Sequence, residues 1–246
     1  MPRGPCHFSL LSSLHERLHR ESPELAAAAD MHLPEFLAGS VAPDALRYVS
    51  RMGKFGTHFY SEDREETWGR SVTGMFSAHP DLSNPQTLSE ADRVLMMGYI
   101  SHLAADEAFR DTVTYQLHGT DNWQPVVEGL WSLVDELPIG YDGLGDGLDR
   151  FVRRDSVGFI RCGDVRTFIE LIRPWAKCVD PWQMEQVYYM LTSRTGSLED
   201  AHAEWFANRE RARHLLDSAR LDAFVESAIT AAFTHVSAFV NGEYTD

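Results

Sequence analysis

The chain is poor in cysteine. Its 246 residues include three, Cys6, Cys162 and Cys178, an odd number with no C-x-x-C pair. That argues against a disulfide framework and a cysteine-built zinc site, and it favours a reducing compartment. Basic residues are scarce too: 22 Lys and Arg stand against 37 Asp and Glu, a formal net charge of −15. Phosphate backbones require a basic surface, so general nucleic-acid binding is not expected. No run approaches the ~20 consecutive apolar residues of a membrane span. The opening MPRGPCHFSLL lacks an apolar stretch of signal-peptide length. These absences predict a cytoplasmic protein with no transmembrane segment. Internal repeats and low-complexity segments are also missing.

What is present is helical periodicity. Leu10, Leu11, Leu14 and Leu18 predict a short helix over 10–18. SPELAAAADMHLPEFLAG is helix-prone to Gly39, and in GSVAPDAL the turn gives Pro43 the first position of the next helix. GKFGTHFYSEDREETWGR, SAHPDLSNPQT and the Gly140–Gly147 stretch read as loops. Ser89 reads as an N-cap, with Asp92 partly completing a capping box, for a long helix through Leu95, Tyr99, His102, Asp106 and Arg110. Further helices follow from Gln124 to near the end, and strand signals are few. The expected fold is all-α. A chain of this length, 43% hydrophobic, can bury its own core, so residues 1–246 are expected to form a single domain.

GYISHLAADEAFRD puts a histidine and an aspartate, His102 and Asp106, four apart in an apolar run. Positions four apart share a helix face. A carboxylate there is costly unless it is paired or bound to a cation. Taken alone, the pair also reads as a His–Asp hydrogen bond at the core edge. Three more residues change the reading: His7 ahead of the first helix, Asp44 in APDAL, and His58 among aromatics in GKFGTHFY. Imidazole nitrogens and carboxylate oxygens together are a zinc-type ligand set.

The order of His7, APDAL, GKFGTHFY and GYISHLAAD resembles the bacterial zinc-dependent phospholipase C family, itself distantly similar to the S1/P1 nucleases. The resemblance covers about residues 1–115; it implies a helical fold of the phospholipase C/P1 nuclease type, with 1–115 as the metal-site half and 116–246 as a helical C-terminal half. By the same resemblance Asp44, His58, His102 and Asp106 surround one zinc ion. His7 contributes to a second, and Asp106 bridges the two. The implied activity is hydrolysis of a phosphoester or other small-molecule substrate. Zinc lowers the pKa of bound water from 15.7 to about 7, and Asp44 orients or deprotonates the attacking water. Tyr60 and Trp68 are candidates to wall the pocket.

The sequence departs from the family pattern at two places. Arg110 stands where short family members often place a further histidine, and it can offer a fixed cation to a phosphate or carboxylate. The family's late H-x-x-x-E or H-x-x-x-D pair has no clean counterpart: His118 and Asp121 are three apart, and His202 is followed four later by Phe206. The departures leave room for a diverged binding protein, or for a specialised-metabolism enzyme acting on another bond.

HERLH, His15 to His19, formally matches the H-E-x-x-H metalloprotease signature. No third ligand motif follows it, and Arg17 and Arg20 lie close by, so it stands as a secondary metal reading. His79 reads as an exposed loop residue. GYDGLGDGLD has no glutamate at the twelfth position of a calcium loop.

Overall fold

A computed structural model of the chain describes residues 2–60, 69–117, 123–177, 180–192 and 196–245. Trp68, His118, Asp121 and Cys178 lie outside the described residues. The fold is all-α. Among the described residues, thirteen α-helices and one hairpin of two-residue strands, β1 (Ser156–Val157) and β2 (Ile160–Arg161), make up the regular structure, with single turns of tighter and wider helix between them.

The first helix, α1 (Gly4–Glu21), starts six residues before the expected position. Pro5 suits its first turn, and the Arg3 backbone N–H is held by Asp135 Oδ1 at 3.2 Å. The turn from Gly4 to Ser9 is therefore buried rather than frayed. Three short helices follow: α2 (Pro23–Met31), α3 (Leu33–Gly39) and α4 (Ala42–Tyr48). Pro43 sits in the first turn of α4 as expected.

GKFGTHFY is not a plain loop. Lys54–His58 form a single helical turn, α5, stopped by Phe59 in the left-handed region at φ 55°. A bulky residue there costs roughly 1–2 kcal/mol. Phe59 is braced by edge contacts with Phe159 at 5.5 Å and His79 at 5.7 Å. His79 stacks on Phe159 at 4.0 Å, so one face of the partly exposed ring belongs to an aromatic cluster. The Gly140–Gly147 stretch also differs from expectation: its second half joins a helix, Leu144–Asp149, after Gly143 turns the chain at φ 76°.

After α6 (Ser71–Ala78), the long helix α7 (Glu90–Phe109) runs through the centre. The Ser89 hydroxyl accepts from Asp92 N at 3.2 Å, the cap the sequence announces. Every residue from Val94 to Phe109 is buried. The first part of α7 belongs to a large core shared with α1, α3 and α4, and Ala105, Ala108 and Phe109 belong to a second core with Cys6, Leu10, Leu130 and Phe224.

Two glycines set the distance between α3 and α7. A Cβ at Gly39 would collide with the Leu95 carbonyl, and one at Gly98 with the Phe36 carbonyl. The backbones touch, so the carbonyl after Gly39 reaches the helix face one turn below Gly98.

The second half supplies α8 (Trp123–Val134), α9 (Leu144–Asp149), α10 (Cys162–Ile172), α11 (Pro181–Leu191), α12 (Leu198–Arg213) and α13 (Ser218–Val240). Helix α13 lies along α7 and lends Phe224, Ala228, Ala232, Val236 and Phe239 to the two cores. With a mean hydropathy of 1.4 it is long and apolar enough to cross a membrane, against the expectation that no segment reaches that threshold. Counting unbroken apolar runs misses it because Ser and Thr punctuate the apolar residues without adding charge.

Candidate metal centre

The five residues singled out in the first half, dispersed over a hundred positions of sequence, meet where the two cores abut. His7 comes from α1, Asp44 from the first turn of α4, His58 from the end of α5, and His102 and Asp106 from one face of α7. His7, His58, His102 and Asp106 are almost fully buried, and Asp44 is 9% exposed.

The tautomers follow from the outer contacts. His102 Nδ1–H donates to the Ser40 carbonyl at 2.8 Å, the group delivered by the Gly39–Gly98 contact. Thr57 Oγ1 donates to the Gly53 carbonyl at 3.3 Å and so accepts from His58 Nδ1–H at 2.7 Å. Tyr99 Oη on α7 holds the Thr57 carbonyl at 2.5 Å, tying α5 to the long helix. With both Nδ1 atoms donating outward, both Nε2 atoms present lone pairs inward, 3.3 Å apart. Two bare nitrogens at that distance repel each other unless a cation lies between them.

The carboxylates complete the pattern. Asp106 Oδ2 is 3.6 Å from Nε2 of both His58 and His102, and its Oδ1 is 3.6 Å from His7 Nε2. Asp44 Oδ1 is 3.7 Å from His58 Nε2. The His7 ring stacks on His102 with centroids 3.7 Å apart. Neither oxygen of Asp106 makes a hydrogen bond. Buried polar atoms without a partner are rare and call for an explanation. Next in the chain, Glu107 is also buried but accepts from Ser71 N–H at 2.6 Å. Among the buried carboxylates described, Asp106 is the one with both oxygens unbonded.

A metal ion fits this donor set. Two ligands about 2.0–2.2 Å from one tetrahedral zinc stand roughly 3.3–3.6 Å apart, close to the separations seen. The donor atoms of His7, His102 and Asp106 lie within 4.8 Å of one another, as do those of Asp44, His58 and His102. Asp106 reaches both groups through separate oxygens. Electrostatics agree: burial holds His7 and His58 well below the usual histidine range, so they are neutral, and pushes the Asp106 carboxyl up to about 6.

Asp44 is the most exposed member of the cluster. It lines a cavity shared with Pro2, Arg47, Tyr48, Lys54 and Trp131. Arg47 and Lys54 put two cations on that rim. Arg110, at the end of α7, lies over the Tyr60 ring at 3.8 Å, and Tyr60 meets His58 edge-on at 6.1 Å. Tyr60 thus walls the cluster and Arg110 stacks behind it. Arg110 also opens a wide turn, Arg110–Thr114, of the kind frequent at functional sites.

Sequence reasoning missed Ser40, Thr57, Arg47 and Lys54. Ser40 acts through its backbone carbonyl, which leaves no residue-type signature. The GS pair beside a helix-borne glycine was the available hint. HERLH was read without its third partner: His15 and His19 face Asp30 of α2, with Nε2 to oxygen separations of 3.1 and 3.4 Å.

Residues 6–109 match the family model described as zinc dependent phospholipase C. The match spans all five cluster residues and stops one short of Arg110. It supports a zinc-dependent hydrolase with zinc as its metal. No curated protein and no solved structure matches the chain.

Proposed function

We propose that the protein hydrolyses a phosphoester at the His7, Asp44, His58, His102 and Asp106 centre, with zinc held by those five side chains. One observation carries the reading. Imidazole nitrogens and carboxylate oxygens converge at 3.3–3.7 Å in a buried place, and among the described residues neither oxygen of Asp106 has a hydrogen-bond partner.

His102 and His58 enter as neutral ligands whose orientation is fixed by the Ser40 carbonyl and the Thr57 hydroxyl. Asp106 offers one oxygen to each of the two donor groups and would be a ligand to a metal ion held by either. Zinc bound there supplies Lewis-acid activation of water and of a phosphoryl oxygen. Asp44, the ligand that meets the cavity, accepts a hydrogen bond from the attacking water and aims it. Arg47 and Lys54 at the rim bind the non-bridging oxygens of the incoming phosphoester, charge-assisted contacts that suit an anion despite the acidic chain as a whole. Tyr60 keeps bulk water from the far side, and Arg110, stacked behind it, adds positive potential. A small phosphoester suits the rim better than a nucleic acid.

Purified protein should hold at least one equivalent of divalent metal and hydrolyse members of a phosphoester panel. His102→Ala should lose metal and activity together. Substoichiometric metal in gently purified protein would remove the basis of the proposal. Retained metal with no hydrolysis across the panel would replace it with a metal-dependent binding role.

A further inference from the structure

A second cluster of ligand-type side chains lies outside the centre just described. On α1, His15 and His19 are four apart and point the same way, their ring centroids 4.9 Å apart. After the turn at Ser22, α2 folds back and sets Asp30 opposite them. Asp30 Oδ1 is 3.1 Å from His15 Nε2, and its Oδ2 is 3.4 Å from His19 Nε2. Donor atoms of all three lie within 4.8 Å of one another.

We propose that His15, His19 and Asp30 form a separate divalent-metal site that takes zinc or a similar borderline ion and pins α1 to α2. The observation that points to a ligand is His15. Its side chain is nine-tenths buried, and its Nε2 turns toward the Asp30 carboxylate at 3.1 Å. The ring is held from outside the cluster. The Tyr141 hydroxyl, bonded to the Leu11 carbonyl at 3.3 Å, lies 3.4 Å from His15 Nδ1, and Phe36 packs edge-on at 5.5 Å. An imidazole nitrogen and a carboxylate thus face each other as they do in the centre.

The surroundings differ from those of the centre. His19 and Asp30 are each about half exposed, with side chains 52% accessible. Three protein ligands with an open side leave a coordination position to water. The site sits two helical turns along α1 from His7, so an ion there would fix the helix that carries one ligand of the centre. The proposal does not depend on the hydrolase reading.

The test uses the full chain, stripped of metal and titrated with zinc against a chromophoric chelator. His19→Ala and Asp30→Asn change half-exposed positions and leave the buried His15 intact, so both variants should fold. Each should bind one equivalent fewer than the unaltered chain and keep its hydrolytic activity. On an Asp106→Asn background, which cripples the centre, zinc should still raise the melting temperature, and adding His19→Ala should abolish that shift. Unchanged stoichiometry and affinity in both single variants would overturn the proposal, whatever the state of the centre.

Discussion

Two buried acidic clusters in this protein meet the same electrostatic problem and solve it differently. At one, Arg3 pairs with Glu185, lies 3.7 Å from Asp135 and has its guanidinium 4.0 Å over the Tyr188 ring. Glu185 and Asp135 both face the guanidinium, and burial pushes the Asp135 carboxyl up to about 7, so the cluster carries its own counter-charge. At the other, Asp44 and Asp106 face three histidines of which two are held neutral, and no Lys or Arg of the described residues makes an ion pair with either carboxylate. Burial alone therefore does not mark a metal site. What marks it is buried carboxylate without an Arg or Lys partner, together with ring nitrogens turned inward by partners behind them.

The contrast can be broken from either side. The largest effect is expected at the self-contained cluster. Arg3→Met leaves Glu185 buried without its partner and should cost about 3–5 kcal/mol in denaturant unfolding, with zinc stoichiometry unchanged in the folded fraction. A loss below about 1 kcal/mol would mean that this cluster is not closed as described.

At the other cluster the sign reverses. Asp106 has a folded pKa of about 6, above the ordinary 3.8. Its ionised form therefore costs stability above pH 6, and the cost vanishes below pH 3.8. Asp106→Asn should raise the stability of metal-free protein at pH 8 by roughly 1–3 kcal/mol, while zinc affinity falls by at least about 100-fold. A destabilised apo variant with intact zinc binding would contradict the assignment.

The smallest effect sharpens the comparison through pH. A bound ion takes Asp106 as carboxylate, so below pH 6 it must displace a proton. Zinc affinity should be flat through this group above pH 6 and fall by about tenfold per unit below it, with proton release on binding growing over the same range. His7 and His58, already neutral, add nothing in that window. A flat affinity between pH 5 and 7 would show that Asp106 is not a ligand.

Much of this was readable in the residues. The apolar period gave the helices, Ser89 gave the start of α7, and the four-residue spacing put His102 and Asp106 on one face. The convergence of His7, Asp44 and His58 was readable only through the ordered resemblance, since no local pattern carries a contact between residues 7 and 106. The helix at 54–58 was hidden because a turn stopped by a left-handed phenylalanine looks like a loop in sequence. The parts that aim the histidines were hidden for another reason: a backbone carbonyl and a threonine neighbour have no distinctive spelling. Asp30 escaped notice because HERLH invites a search further downstream, whereas its partner follows one turn of chain later.

The glycine contact between α3 and α7 acts as a ruler. Elsewhere in the core a substituted side chain can swing to another rotamer and the helices can keep their places. Here main chain rests on main chain, so an added methyl group at residue 39 or 98 can be accommodated only by parting the helices. The Ser40 carbonyl would then withdraw from His102, the ring would lose the bond that sets its tautomer, and damage at a helix contact would be felt as a change in how tightly the centre holds its ion.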